Sequence, residues 1–382
     1  MDLFVDSKID FLRWRFHAIA FSVLFIAIGL ALLFTRGMNL GIDFAGGANV
    51  ILRFQEEPPI QDLRGIVSDA TIQQYGPPED HSVLLRLPQI QQEGDYAGQV
   101  VGNLNQRLNP EGNGKLDLNY QGRSALADLL KAEDPDNRGT SPDAMAHYED
   151  LAQRVIARRS EIGIFTSMEQ VTSVDGVSPA VAQLIGEQTF LGAFNVLNQE
   201  TVGPQVGREL QQKALWAIIL ATLAMGAYIA VRFDFKFGVA AVLCLIHDTM
   251  FAIAFLGMIH GEFEIITVAA FLMIIGYSIN DTVVIYDRVR ENVRKSRARE
   301  DFATVLNRSM NQTLSRTILT GGSVVLVLLS LIFWGGEVTK EFALLLLVGT
   351  IAGTYSTLTV VPAIVLAWNR FIGPKGMYGG KS

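Results

Sequence analysis

Six apolar runs constrain this chain more than any other feature: Phe16–Phe34, about Ala214–Val231, Phe237–Ile259, Ile265–Tyr286, Ile318–Trp334 and Phe342–Trp368. Each lies near the roughly 20 residues that a spanning helix requires. Hydrocarbon leaves unsatisfied backbone groups no partner, so continuous runs of this length can cross only as helices. The sequence therefore predicts an α-helical membrane protein with six transmembrane helices. Composition agrees: 18% of residues are charged, against roughly 25% in soluble domains. The first run has 19 residues and is followed by Thr35-Arg36. A cleaved signal peptide has a shorter core and a small-residue cleavage site, so this run is expected to be a retained span over residues 16–34.

Charge sets the expected orientation. Residues 1–15 mix Asp2, Asp6 and Asp10 with Lys8, Arg13 and Arg15, and the same set of loops holds Arg232, Lys236, a basic loop over 287–315, and Arg370, Lys375 and Lys381 in a tail over 369–382. The opposite set is mostly acidic, with Glu262, Glu264, Glu337 and Glu341 against Lys340. By the positive-inside rule both termini are cytoplasmic, as an even number of spans requires. Residues 35–213 then form an external domain, and 214–368 a five-helix region. Acidic residues dominate that domain, which argues against nucleic acid as a partner.

Within the external region, Ala48–Phe54 alternates as a strand, Ile60–Ala70 reads as a helix and Ser82–Leu87 as a strand. Tyr96–Leu108 reads as a helix and Leu191–Leu197 as a returning strand, with room for another strand near Ile72–Tyr75. This order predicts an α+β ferredoxin-like domain. Between about 109 and 188, Gly, Asn, Asp and Pro breaks separate candidate helices at Ser124–Ala132, Pro142–Arg159 and Pro179–Gln188. That stretch reads as a helical insertion.

Three intramembrane features carry chemistry. Asp281 lies inside the fourth apolar run, where an ionised carboxylate costs about 2.5–3.5 kcal/mol on insertion scales. Tyr277, Ser278 and Asn280 surround it in a polar stretch expected to face other helices. An interhelical packing cluster explains the hydroxyls and the amide but leaves a full carboxylate unexplained. Arg316 opens the fifth span with Thr313, Thr317 and Thr320 on its face. At ~1.5 Å per residue, Asp281 lies about 9 Å inside the helix end at Asp287, a depth that Arg316 can match. Two readings stand: a counter-charge that holds Asp281 ionised, or a boundary arginine that snorkels to the headgroups. His247-Asp248, near the middle of the third span, is either proton-relay material or part of a structural salt bridge to a neighbouring helix.

Other signals are weaker. The single cysteine, Cys244, excludes an internal disulfide and a Cys-rich zinc site, and no metal site or cofactor is expected. Gly349 and Gly353 form a small-xxx-small face, and Gly321-Gly322 opens the fifth span. No Walker loop or His-Glu-x-x-His motif occurs, and no exposed nucleophile has a nearby base. An ion gradient is then the plausible energy source, and the chain is not expected to be an enzyme.

Four ordered blocks resemble the SecD/SecF family of bacterial protein-export membrane subunits, on its SecF side. They are Gly41-Ile42-Asp43-Phe44-Ala45-Gly46-Gly47, then Val202-Gly203-Pro204 through Leu210, then Tyr277–Asn292, then Arg308–Thr317. His247-Asp248 also matches. The resemblance implies half of a resistance–nodulation–division-type fold, completed by a SecD-like sister subunit and working beside the SecYEG channel. It implies that proton flow moves the external domain to draw preproteins across the bacterial inner membrane. It places Asp281 on the family's membrane carboxylate and Arg316 on its membrane arginine. Gly41, Asp43, Gly46, Gly47, Gly203 and Pro204 fall at junctions between span and domain. The insertion is the expected departure from the family.

Two alternatives remain at this point. A half-transporter exporting lipids or small molecules would need a second six-span half and a large substrate cleft. A non-transporting scaffold or sensor would tolerate neutral replacements of Asp281.

Overall fold

The computed structural model describes residues 7–88, 95–110, 112, 114–296 and 300–372. Arg297, Arg299, Lys375 and Lys381 lie outside them. In chain order, α1 (Phe11–Arg36) and the one-turn α2 (Ile42–Ala45) precede β1 (Gly47–Phe54), α3 (Ile60–Ile66), β2 (Thr71–Tyr75), β3 (Ser82–Pro88) and α4 (Tyr96–Leu108). Then come β4 (Leu116–Asp117), α5 (Arg123–Glu133), α6 (Pro142–Ile162), α7 (Met168–Thr172), α8 (Pro179–Gln188), β5 (Thr189–Phe190) and β6 (Phe194–Val202). Five long helices complete the chain: α9 (Pro204–Arg232), α10 (Phe235–Ile259), α11 (Ile265–Ser296), α12 (Phe302–Trp334) and α13 (Glu337–Ile372).

These elements form two compact units, one of residues 1–44 and 207–382, the other of residues 45–206. Among the described residues of the helical unit, six helices are long and apolar enough to cross a membrane, as the apolar runs predict. Burial is uneven among them. The apolar windows of α10, α11 and α13 are 56% buried, while those of α1, α9 and α12 are 17% buried. The first three form the centre, and α1, α9 and α12 are more exposed. Close approach depends on glycine at one position in particular: a Cβ on Gly349 of α13 would lie 2.2 Å from Ile274 Cδ1 of α11.

The helices outrun the apolar windows. α9 begins at Pro204, which sits at a first helical position where its missing N–H costs nothing. α11 continues to Ser296, and α12 starts after an Asp301 cap that accepts from Ala303 N–H at 3.2 Å. The stretch 287–315 is therefore mostly helix rather than loop. Polar residues outside the apolar part keep good helix propensity, and hydropathy cannot see them.

The second unit contains a four-stranded antiparallel sheet ordered β2-β3-β1-β6. This is the split βαβ order of a ferredoxin-like domain. Val50, Leu52, Leu85 and Leu87 alternate inward from β1 and β3 onto Leu63, Val101 and Leu104 of α3 and α4. Between α4 and β6, the insertion forms its own core from Leu126, Tyr148, Leu151, Phe165, Val181 and Ile185. Ser141 and Ser178 cap α6 and α8, each followed by Pro. A buried polar node anchors the insertion's base: Asp117 accepts from Asn119 and Gly192 N–H, both at 2.9 Å, and Arg159 donates to the Leu118 and Gln121 carbonyls. Burial raises the Asp117 pKa, against the pull of those backbone donors.

Candidate functional site: a buried carboxylate between three helices

α11 and α12 run antiparallel, and hydrogen bonds fix their register. Asn292 Nδ2 donates to Ser309 Oγ at 2.9 Å, and Arg288 Nε donates to Gln312 Oε1 at 2.7 Å. Two to three turns further, a Cβ on Gly321 would sit 2.9 Å from Tyr277 Oη. The same register brings Asp281 level with Arg316 and Thr317, matching the expected depth.

Asp281 is 2% exposed, and its Oδ2 has no hydrogen-bond partner. Tyr277 Oη and Thr317 Oγ1 are likewise buried and unpartnered, with Thr354 of α13 near the tyrosine hydroxyl. Three polar atoms left open along one interface are exceptional, because unsatisfied buried polar groups are costly and few per protein.

Arg316 does not complete the pair in direct contact. It acts electrostatically on Asp281, but the two form no ion pair within 4.0 Å among the described residues. Thr313 and Thr317, four residues apart, turn into the bundle, at 7% and 0% exposure. Arg316 is rotated about 100° from Thr317, which puts it on the exposed rim. The expected shared face is therefore two faces. Asn280 departs in the same way: it is exposed, about 200° around the helix from Ser278, and does not join the buried polar face.

His247 and Asp248 of α10 belong to a second network, which reaches α11 at Ser278, one turn from Asp281. Asp248 is fully buried. Its carboxylate contacts His247 Nδ1 at 2.9 Å and accepts from Ser278 Oγ at 2.5 Å. Cys244 Sγ lies 3.6 Å from Asp248 and 3.3 Å from Ser356 Oγ of α13. The neighbouring helix thus supplies a hydroxyl where a salt bridge was one expectation. His247 Nε2 is buried without a partner. Gly353 makes room for this junction: a Cβ there would meet Ser278 Cβ at 3.3 Å. The α13 hydroxyls were not legible as site residues, because Ser and Thr in a span are common packing groups. Among the described residues, no three His, Cys, Asp or Glu side chains gather to hold a metal.

The junction glycines act at the far end of α11. Gly41 N–H donates to the Phe263 carbonyl at 3.0 Å, and Phe263 N–H to that of Asn39 at 2.8 Å. Asp43 Oδ2 accepts from Ile265 N–H at 3.0 Å, capping α11. Gln211 of α9 donates to the Phe44 carbonyl at 2.8 Å. Gly46 then takes φ +77°, a conformation that favours glycine. Gly203 has neither a positive φ nor a crowded Cβ position, so the conformation of that glycine explains nothing of its block.

Two family models match. The SecD/SecF GG motif covers residues 31–57, and the C-terminal model of the protein export membrane protein SecD/SecF covers residues 181–370. A protein translocase subunit SecF of Koribacter versatilis is 36% identical over 98% of this chain and 95% of its own length. The chain belongs to the SecD/SecF family. The SecF subunit of Desulfurispirillum indicum is 34% identical over 96% of this chain and 94% of its own. The crystal structure of SecDF from Thermus thermophilus superposes with a TM-score of 0.63 at 29% identity, covering 97% of this chain. This chain spans 40% of that longer SecDF polypeptide. With six apolar spans, it is a multi-pass membrane protein.

Proposed function

We propose that this chain is a SecF-type subunit of the Sec protein-export machinery, with Asp281 as the carboxylate that couples proton flow to movement. The observation that carries this reading is Asp281 itself: buried, with an open oxygen, level with Arg316 yet not quenched by contact with it. A structural ion pair would be closed. An open carboxylate beside a cation at the rim can take up and release a proton, and with it gain or lose an electrostatic tie to α12.

The positive-inside charge distribution supports cytoplasmic termini and an external domain over residues 35–213. Protonation of Asp281 removes the negative charge facing Arg316, so α11 and α12 re-pack. The opposite end of α11 is tied through Asp43 to the segment that continues into β1. Displacement of α11 is thereby delivered to the strand that starts the external domain, which draws the preprotein from a SecYEG channel. Asp248 and His247, bound to α11 through Ser278, form the second proton-handling group.

A SecD-like sister subunit covers the exposed flank. Support comes from the weakly buried α9 and α12 and from exposed Asn280 and Arg316. A Thermus thermophilus relative named SecDF aligns over only 24% of its length, at 46% identity, so one polypeptide there carries much more than this chain does.

The test is an Asp281→Asn strain. Preprotein export should fall to the level of a deletion, while membrane level and co-purification with the sister subunit stay at wild type. Normal export by this variant would refute the coupling role.

A further inference from the structure

We propose that the cleft between the N-terminal segment and the first three turns of α12 binds the phosphodiester headgroup of an anionic phospholipid. The cleft has a volume of about 840 Å³, and among the described residues its charged lining is Lys8, Arg13, Arg15 and Arg308 against one acid, Asp10. Asp10 is occupied as the α1 cap, accepting from Arg13 N–H at 3.1 Å. Arg308 pairs with Glu300 at 2.8 Å, and Arg15 donates to the Leu12 carbonyl with its guanidinium over the Phe16 ring. That leaves Lys8 and Arg13, both exposed, with no carboxylate of a described residue within 4.0 Å.

The cleft is built rather than incidental. Asn311 clamps both backbone groups of Ile9, accepting from its N–H at 2.9 Å and donating to its carbonyl at 2.8 Å. Asn307 donates to the same carbonyl at 3.0 Å and accepts from Phe11 N–H at 3.1 Å. The wall that carries Lys8 is therefore fixed to α12. Ser7 Oγ in the lining is buried and has no partner, so one more donor is available to a phosphate oxygen.

Two large rings beside the cations decide what kind of phosphate fits. Trp14 is 62% and Phe16 67% exposed, on the same turn as Arg13 at the start of a spanning helix. An amphipathic ring such as Trp14 and basic side chains at this level are the elements that engage lipid headgroups, and Phe16 adds apolar surface for the acyl chains. A soluble phosphate would use the cations and leave the rings unused, whereas a phospholipid uses both. A zwitterionic headgroup would meet the cations with no net charge.

The full chain in nanodiscs of mixed phosphatidylcholine and phosphatidylglycerol tests this, with retained lipid counted by native mass spectrometry. Wild type should retain phosphatidylglycerol over phosphatidylcholine, and each cation removed in Lys8→Gln and Arg13→Gln should lower that retention by about fivefold. The charge-conserving Lys8→Arg/Arg13→Lys variant should retain it. Equal retention of the two lipids by wild type would overturn the proposal. So would unchanged preference in the double Gln variant, or displacement of the lipid by excess inorganic phosphate, which would mark a soluble-anion site. If the Gln variants fail to fold, the wild-type preference and the charge-conserving variant still decide.

Discussion

Asp43 and Ile265, 222 residues apart in sequence, are joined by a hydrogen bond of 3.0 Å from the Ile265 N–H to the Asp43 carboxylate. An anion there meets the positive end of the helix dipole, on the helix that carries Asp281. Asp43→Ala should cost about 0.5–2 kcal/mol and speed hydrogen exchange at the Ile265–Thr267 amides. Asp43→Asn, which still accepts, should cost less. Unchanged exchange in the alanine variant would show that the cap contributes nothing.

Ser278 ties α11 to the buried Asp248. Replacing it by alanine leaves the carboxylate with His247 and a weak thiol contact, and about 1–3 kcal/mol should be lost. Thermal unfolding of the detergent-solubilised chain measures this. Ser278→Thr keeps a hydroxyl and should recover part of the loss.

Arg316 acts on Asp281 through its field rather than by contact, so charge matters more than geometry. Arg316→Lys should keep partial export activity and Arg316→Gln should lose most of it. The proposed coupling has both residues serve one step, so Asp281→Asn/Arg316→Gln should be no worse than the worse single variant. Additive losses would place the two in separate processes.

The insertion offers an acid-side test. Asp134 accepts from Tyr148 Oη at 2.7 Å and from the Arg138 and Gly139 N–H groups. The tyrosine bond first, then the backbone donors, holds its pKa below the usual carboxylate range. The folded value is the depressed one, so its stabilisation is present above the unfolded value and lost as pH falls through the folded value. Tyr148→Phe should flatten the fall of melting temperature below about pH 4. An unchanged acid limb would remove the tyrosine from this role.

Much of the fold was legible in the sequence because the signals are local. Hydrocarbon thickness sets the length of apolar runs, and Ser-Pro pairs mark the starts of α6 and α8. The start of α9 and the end of α11 were not legible, since their polar turns carry no apolar pattern. The one-turn α2 and five-residue α7 were too short to show a period. In the site, Asp281 stood out through its cost in lipid. The position of Arg316 at the rim did not, because one residue of rotation, decided by the packing of Thr317, separates inside from outside. The cap made by Asp43 joins distant segments, so no local pattern announces it.

The central claim is that a proton on Asp281 drives preprotein movement. Proteoliposomes holding the assembled translocase with this chain and its sister subunit, given a preprotein and an imposed gradient, test it most directly. Wild type should speed translocation under a proton gradient and not under a sodium gradient, and Asp281→Asn should show the gradient-free rate in both. A gradient-dependent acceleration that survives in Asp281→Asn would contradict the account.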